Sequence, residues 1–507
     1  MFKIRNLLIA TAALAAFIAP GHYAGAAEIA HFTAATPSEP DTLDMTATRD
    51  PGGSFVALLN IYQQLWGVDK NNKPIETVAS WKISPHWHTI TFHIHQGVKF
   101  QSGDPLTAAD VVFSFDRIAK HSPMYHRDAA LVESVTALNR YTVRFTFKHP
   151  YFGFFNSGLV FLVSKAYFQR VGAHYAETHP NSIGPYKFVD YKPAQYIDLV
   201  ASKDYYGKQP EVRSARIFFV KDGQTRVAKL RAGEVDMIMD TPYPSIPSLK
   251  KDGYRVVGAE SWPTCAVQFH LTNPKSPWFK RKVRLAIAHA IDGNAIVKGL
   301  LLGIPKRYPE LAKGEFGYDP TLKNYSYDPA LAKKLLAEAG YPHGFSMPIY
   351  YWAGTFYGIA QTAEAVALYL KQVGITTHVE GLDPIKVMAM LRQGAHDPNQ
   401  VYAGVMAMPI TNTGMDPTES VGLMYLPNPV NPYKNAKLDA TIHKMLGTFD
   451  PEKRAALVRQ VMRIVHDEAL DIPLWDSISE YAMESKFGFT PIQHRNAVLS
   501  LADVTTK

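Results

Sequence analysis

The stretch from Thr91 to Ile118, TFHIHQGVKFQSGDPLTAADVVFSFDRI, contains the clearest local structural signals in the chain. The strand at its start extends back to His88, because HTITFHIH alternates polar and apolar residues at period two, which predicts a half-buried strand. Thr107 and Asp110 then form a Thr-x-x-Asp sequence that resembles a capping box. The apolar run VVFSFDRI follows, so a helix is predicted to begin at Thr107.

Strand and helix signals alternate irregularly on both sides of this stretch, which favours a mixed α/β fold with crossovers. A second strand is predicted over Thr142–Phe147 (TVRFTF). Asp-Pro pairs, with Asp as the N-cap and Pro in the first turn, predict helices from Asp328 to Gly340 and from Asp450 onwards. Further helices are predicted over Lys282–Ile291 and Thr362–Val373, and a long loop rich in Pro, Gly, Asn and Met over 405–432.

The first residues have the pattern of a secretory signal peptide over residues 1–26. Lys3 and Arg5 form a basic head, Leu7 to Ala19 is almost entirely apolar, and small residues surround Ala26. This apolar run is shorter than the ~18–20 residues that span a bilayer, so cleavage near Ala26 or Ala27 is expected. No cysteine at the end of this region offers a lipid attachment point, so a soluble periplasmic protein is predicted.

The composition limits the class of protein. The formal charge of +8 falls to +6 without the two basic residues of the signal peptide, and the remaining Lys and Arg are scattered, so no nucleic-acid partner is expected. A mature chain of about 480 residues favours two or three domains. No later apolar run is long enough to cross a membrane.

Signatures of common enzymes are absent: the sequence contains no HExxH, GxSxG or GxxxxGK[ST], and no GxGxxG after a strand. Cys265, the only cysteine, lies five residues before His270, a pairing that could suggest a thiol nucleophile. The alternation of CAVQFHL instead favours a strand with a small buried thiol. A binding protein is therefore predicted, with an exported hydrolase as the remote alternative.

Four histidines, His86, His88, His93 and His95, form the densest group of metal-binding residue types. Residues two apart on a strand point the same way, so His93 and His95 could share one face and bind a metal. No carboxylate or cysteine nearby completes a ligand set, and polar residues on a strand commonly occupy its solvated face. No metal site and no cofactor are predicted, and a metal-binding role for His93 and His95 is the alternative.

Ordered blocks along nearly the whole mature chain resemble the large periplasmic solute-binding proteins of peptide-type ABC transporters, a family with dipeptide, oligopeptide, nickel, glutathione and opine binders. The blocks are PDTLD (40–44), IYQQL (61–65), ASWKIS (79–84), the stretch 91–118, IGPYKF (183–188), DYYG (204–207), AGEVD (232–236), VRLAIAHAID (283–292) and AKKLLAEAGYPHGF (332–345).

This resemblance implies a two-lobed α/β periplasmic binding protein, type II-like and of the Venus-flytrap kind, with an extra domain inserted in the first lobe. By block position the first lobe takes 28–60, 184–272 and 489–507, the insertion takes 61–183, and the second lobe takes 273–488. The implied function is capture of a small organic or peptide-like solute by a monomer between two closing lobes. The implied partners are an inner-membrane ABC permease and its ATPase subunits.

The sequence departs from the pattern of the peptide binders in two places. The aspartate that holds a ligand ammonium group in those proteins lies four residues before a proline, and Thr413 occupies that place here, with Ile410 near the position of their tryptophan. The arginine that holds a ligand carboxylate in dipeptide-type relatives is missing from Tyr350–Gly358. The glutathione-type branch also lacks the late tryptophan–aspartate arrangement. Aromatic residues (Tyr350, Tyr351, Trp352 and Tyr357) suit a modified peptide, an opine-like conjugate or a less polar organic acid.

Candidate ligand residues are expected in the cleft between the lobes. Arg49 is the candidate for an anionic group, because guanidinium pairs bidentately with carboxylate. The alternative within binding proteins is uptake of a metal, a metallo-cofactor or a sugar, and the metal content of the purified protein discriminates the metal cases. The complete set of candidate ligand-binding residues in the cleft is Arg49, Asp50, Trp262, Gln268, Phe269, Tyr351, Trp352, Thr355, Met408, Asn412, Thr413 and Asp416.

Overall fold

A computed structural model gives the fold of most of the chain. It describes residues 28–49, 57–71, 73–157, 159–271, 273–353, 357–382, 386, 405–406, 416–427, 433–492 and 498–507.

The strands of these residues vary from two to fourteen residues in length. They are β1 Phe32–Thr36, β2 Trp66–Val68, β3 Pro74–Glu76, β4 Ala79–Ile83, β5 Thr89–Ile94, β6 Val132–Asn139, β7 Thr142–Phe147, β8 Tyr186–Lys192, β9 Tyr196–Ala201, β10 Ser214–Phe219, β11 Met237–Ile238, β12 Arg255–Gln268, β13 Ser346–Trp352, β14 Thr376–Leu382, β15 Val405–Met406, β16 Asp471–Met483, β17 Phe487–Gly488 and β18 Thr505–Thr506.

The helices lie between these strands along the whole described chain. They are α1 Ala108–His121, α2 His126–Ala129, α3 Lys165–Val171, α4 Ala173–Thr178, α5 Gly223–Arg231, α6 Ile246–Lys251, α7 Arg281–Ala290, α8 Gly293–Leu300, α9 Pro329–Glu338, α10 Ile359–Gln372, α11 Thr418–Tyr425, α12 Ala436–Leu446 and α13 Pro451–Glu468. None of the helices in the described part of the chain is long and apolar enough to cross a membrane.

Ten strands form one large sheet, in the order β14-β13-β15-β12-β16-β11-β1-β10-β9-β8. At one end β13 pairs in parallel with both β14 and β15, and towards the other end β1 pairs in parallel with β10 and β11. The two longest strands, β12 and β16, pair antiparallel in the middle. The predicted mixed α/β class is confirmed.

β12 and β16 connect two separate hydrophobic cores. On β12, Val257 packs against the first core, whereas Cys265 belongs to the second. On β16, Trp475 belongs to the second core and Tyr481 to the first. The pairing of the two strands is irregular between Glu260 and Thr264, where both pass from one core to the other. We call the parts built around these cores the first and second lobes.

The stretch that opened the sequence analysis lies in a separate four-stranded sheet, in the order β4-β5-β7-β6. The strand predicted over 88–95 is β5, and the predicted helix is α1. The carboxylate of Asp110 accepts hydrogen bonds from the backbone nitrogen of Thr107, at 2.9 Å, and from its hydroxyl, at 2.6 Å. Phe92 on β5 belongs to the same core as Phe32 on β1, so the predicted insertion and the first lobe share one core.

Most of the other predicted elements are confirmed. The strand over 142–147 is β7, and the helices predicted over 282–291, 328–340, 362–373 and from Asp450 correspond to α7, α9, α10 and α13. The prediction of a continuous loop over 405–432 is wrong, because α11 forms within it. The reason is local: the carboxylate of Asp416 accepts hydrogen bonds from the backbone nitrogen of Thr418, at 3.0 Å, and from its hydroxyl, at 2.5 Å.

Candidate functional site between the lobes

The parallel strands of both lobes point towards the same space. β12 runs from the first lobe into the second, so β15, which is antiparallel to β12, runs back towards the first lobe together with β13 and β14. β16 runs from the second lobe into the first, so β11, antiparallel to β16, runs towards the second lobe together with β1 and β10. Ligands of open α/β sheets bind outside the carboxyl ends of such strands. The candidate site is therefore the cleft between these two sets of strand ends.

Two tyrosines meet in this space. Tyr243 follows β11 and Tyr357 follows β13, and their ring centroids are 4.9 Å apart. Tyr243 is buried and donates a hydrogen bond to the carbonyl oxygen of Ile478 on β16, at 3.1 Å, whereas Tyr357 is 38% exposed. Burial raises the pKa of both phenols, so both remain neutral donors near neutral pH. Tyr243 was not among the predicted residues, although its position in Thr241-Pro-Tyr-Pro, directly after an apolar strand, was an available signal.

Carboxyl groups lie where β12 and β16 cross between the lobes. Asp476 accepts a hydrogen bond from the hydroxyl of Thr264, and Glu260 forms an ion pair with Lys306. Burial raises the pKa of Asp476 to about 7, and the hydrogen bond from Thr264 opposes this shift. Burial and the nearby Asp476 raise the pKa of Glu315 as well. At the crossing, burial therefore favours the protonated form of two carboxyl groups, those of Asp476 and Glu315.

The segment before Arg49 is held firmly against the first lobe and the insertion. Asp44 is buried and its carboxylate lies 2.6 Å from the guanidinium of Arg117, on α1. The hydroxyl of Tyr62 donates to the carbonyl oxygen of Leu43, at 2.9 Å, and the backbone nitrogen of Arg49 donates to Asp41, at 2.8 Å. Arg49 is an exposed residue at the end of this anchored segment. Asp50 lies outside the described residues.

The candidates on β12 occupy different surroundings. Trp262 lies within the irregular part of β12, and its side chain is outside the described structure. Gln268 is half-buried at the other end of β12, opposite Asp471. Phe269 is 8% exposed and belongs to the second core.

The aromatic candidates on β13 lie at its carboxyl end. Tyr351 and Trp352 are both half-buried. The ring of Tyr351 lies directly over Gly381 of β14, where a Cβ atom would come within 2.6 Å of the ring. Glycine at 381 therefore lets the tyrosine lie flat on the neighbouring strand. Four further candidates lie outside the described residues: Thr355, Met408, Asn412 and Thr413.

Asp416 is the one described candidate from the late segment, and its carboxylate has structural partners. One oxygen accepts the hydrogen bonds of Thr418 at the start of α11, and the other lies 3.0 Å from the guanidinium of Arg454. Arg454 is only 3% exposed. Both oxygens of Asp416 are therefore engaged within the second lobe.

The histidines are spread over the surface of the small sheet. His93 and His95 are exposed; a ring nitrogen of His93 lies 3.4 Å from the hydroxyl of Thr142, and one of His95 lies 3.0 Å from the carbonyl oxygen of Thr77. His86 lies against Phe449, with ring centroids 5.0 Å apart. Within the described ranges, no three His, Cys, Asp or Glu residues are grouped so as to hold a metal ion.

Cys265 on β12 is buried, and burial raises the pKa of its thiol and so disfavours the reactive thiolate.

Replacing His93 and His95 together with threonine should leave solute affinity within about threefold, because both side chains are exposed, on β5 or directly after it, in a sheet separate from the strands whose ends border the cleft. Calorimetric titration with the solute checks this, and metal analysis of both proteins serves as the control. A loss of about tenfold, equal to ~1.4 kcal/mol, or a bound metal that disappears with the substitution, would support the metal hypothesis instead.

Comparison with known proteins gives one consistent family. The family described as "Bacterial extracellular solute-binding proteins, family 5 Middle" matches residues 76–433. Heme-binding protein A of Haemophilus influenzae is 27% identical over 480 residues, covering 86% of this chain and 83% of that protein. Glutathione-binding protein GsiB of Escherichia coli O157:H7 is 28% identical over 454 residues, covering 85% and 86%.

Solved structures share the fold. NikA from Brucella suis, solved in complex with Fe(III)-EDTA, superposes with a TM-score of 0.82 at 22% identity, over 94% of this chain and all (100%) of that one. The two-lobed architecture expected from the sequence is therefore confirmed.

Proposed function

Because the chain belongs to the bacterial extracellular solute-binding proteins of family 5, we propose that it captures a modified peptide, another peptide-like solute or an organic acid between its two lobes. It then presents the solute to the permease and ATPase subunits of an ABC importer in the inner membrane. Its homologues are substrate-binding proteins of ABC transporters and not enzymes, and this chain is a binding protein of the same type. The observation that carries the proposal is the convergence of strand ends from both lobes, where Tyr243 and Tyr357 lie 4.9 Å apart.

Capture requires contact with both lobes. A ligand shifts an open–closed equilibrium only through its different affinity for the two states, so a solute held by one lobe alone would not close the cleft. β12 and β16 join the lobes, and their irregular pairing at 260–264 is a suitable place for the bending that closure needs. We therefore propose that the strands bend near 261–263 and 476–478, and the domain bounds at 272/273 and 488/489 expected from the resemblance stay predictions.

The chemistry of the solute follows from the charged groups that the chain offers. Thr413 stands where the ammonium-binding aspartate of peptide binders is expected, and the carboxylate of Asp416, three residues later, is engaged by Arg454 and Thr418. A hydroxyl can accept a hydrogen bond from an ammonium group but cannot neutralise it in a dry cleft. These features support a solute without a free terminal amine.

N-acetylated dipeptides and tripeptides should accordingly bind better than the same peptides with a free amine, which should bind weakly or not at all. Calorimetry with matched pairs of peptides measures the difference, and the variant Asp416→Asn is the control. If the free amine binds tenfold tighter, ~1.4 kcal/mol, and Asp416→Asn removes that preference, the interpretation of this segment is wrong.

The relative named heme-binding protein A favours a second candidate, a metallo-cofactor such as haem. Titration of the protein with hemin, followed by absorbance, separates the two candidates, together with metal analysis of the protein as purified. Stoichiometric haem or metal would select the second candidate. A thermal-shift screen of peptides, conjugates and organic acids tests the first, because a ligand at a hundred times its Kd adds ~2.7 kcal/mol of stability.

Export to the periplasm belongs to the same proposal. Signal residues 1–26 lie outside the described structure, and processing should leave a protein that begins at Ala27 or Glu28. Intact-mass analysis of the periplasmic fraction checks this. A periplasmic chain that retains the apolar run from Leu7 would contradict it.

A further inference from the structure

A second contact between the two halves of the molecule lies outside the cleft described above. The ring of Phe152, in the insertion, lies 6.3 Å from the ring of Phe449, in the second lobe, and the ring of His86 lies 5.0 Å from Phe449. His86 is in the turn between β4 and β5, Phe152 follows β7, and Phe449 immediately precedes α13. Residues 61–183 therefore contact the second lobe directly, and not only through β12 and β16.

Arg454 lies at the centre of this contact. Its guanidinium carbon is 3.8 Å from the centre of the Phe152 ring, which is the distance of a close cation–π contact. Its Nη1 donates to the carbonyl oxygens of Thr448 and Phe449, each at 3.2 Å, and its Nη2 donates to the carboxylate of Asp416, at 3.0 Å. The guanidinium edge is thus bonded within the second lobe, while one of its faces is covered by an aromatic ring of the insertion.

The turn that carries His86 is also fixed. Trp87 has a φ of 55°, a conformation that bulky residues rarely adopt, so the surrounding structure must hold it there. Its ring packs against Phe152 at 5.3 Å. Phe152 thus contacts Trp87 in its own domain and both Phe449 and Arg454 in the other lobe.

We propose that the contact between Phe152 and Arg454 stays formed when the cleft is open, and that the ring of Phe152 holds the guanidinium in place across the lobes. The contact is then the fixed point about which the two lobes move when a solute is captured. The same guanidinium engages Asp416, so the interlobe contact and the start of α11 depend on one side chain. This role rests on the proposed solute-binding function, but the contact itself does not require a solute.

Cross-linking of the full mature chain without solute tests the contact. The pair His86→Cys and Phe449→Cys, treated with a short bis-maleimide, should give an intrachain cross-link between the peptides that contain residues 86 and 449. The native thiol of Cys265 is buried and should not compete. The control pair, Tyr175→Cys with Phe449→Cys, uses a residue of the insertion that is 48% exposed and stacks on His179, and should give no such product. Equal yields from the two pairs, or none from the first, would overturn the contact.

A third substitution in the cysteine pair tests the role of Phe152 and Arg454. Phe152→Leu should lower the cross-link yield at least fivefold, because an aliphatic side chain offers no π-face to the guanidinium, and Phe152→Tyr should restore it. Circular dichroism confirms that each variant is folded. An unchanged yield with leucine, or no rescue with tyrosine, would show that Arg454 is not held by the aromatic face. Neither outcome depends on whether the solute screen succeeds, so failure of this inference is distinct from failure of the proposed function.

Discussion

Replacing Asp44 by asparagine should lower the free energy of unfolding by about 3–5 kcal/mol, because it removes one partner of a buried ion pair. The side chain of Asp44 is 1% exposed and that of Arg117 is 10% exposed. The same carboxylate accepts hydrogen bonds from the backbone nitrogen of Thr46, at 2.9 Å, and from its hydroxyl, at 2.6 Å. Without the charge, the guanidinium of Arg117 stays buried, and Glu177, at 3.1 Å, is its remaining acidic partner among the described residues.

Urea unfolding of the wild-type protein and the variant measures this loss. The matched control is Asp204→Asn, because Asp204 is 75% exposed and lies 3.8 Å from Lys187. An exposed pair of this kind contributes about 0–1 kcal/mol. Losses of similar size in the two variants would mean that the pair at Asp44 does not hold the segment that leads to Arg49.

The second large effect concerns pH. Replacing Asp476 by asparagine should remove one contribution to the fall in stability that the wild-type protein shows as pH rises from about 4 to about 7. Burial raises the pKa of this carboxyl from 3.8 to about 7 in the folded chain, so the folded state binds the proton more tightly than the unfolded state. Stability from this group is therefore complete below the unfolded pKa and is lost as pH rises through the folded pKa.

The free energy of unfolding of the variant, minus that of the wild-type protein, should therefore increase between pH 4 and pH 8, by at most about 4 kcal/mol. Chemical unfolding at a series of pH values gives this difference. Asp222→Asn is the control, because this exposed carboxyl caps α5 and the hydrogen bonds from Thr225 lower its pKa instead. A difference that is independent of pH for Asp476→Asn would contradict a buried, protonated carboxyl at the crossing.

Much of the secondary structure could be predicted because its signals are local. Asp110, Asp328 and Asp450 each bond backbone groups within three residues, so their roles are visible in short sequences. The same signal was present at Asp416-Pro417 but was outweighed by the loop-forming composition around it, and α11 was missed. The family resemblance supplied the two-lobed architecture, which no local pattern would have given.

The candidate site was harder to predict, because its contacts join residues that are distant in sequence. Tyr243 follows β11, which begins in the first lobe, yet its ring is buried in the second core, where it meets Tyr357 after β13. The raised pKa of Asp476 depends on its burial beside Thr264 of β12 and beside Lys306, whose carbonyl oxygen accepts a hydrogen bond from the backbone nitrogen of Asp476 at 2.8 Å. A single acid in the apolar strand IPLWDSIS was its only sign in the sequence. Arg454 was similarly hidden, since it reads as an ordinary charged residue in the first turns of α13.

Small-angle X-ray scattering of the mature chain, with and without the first solute found by the thermal-shift screen, measures closure of the lobes directly. Capture between two lobes predicts a smaller radius of gyration at saturation, with the molecular mass unchanged at one chain per particle. The same radius of gyration in both states, with binding of the solute verified by calorimetry, would contradict capture by closure.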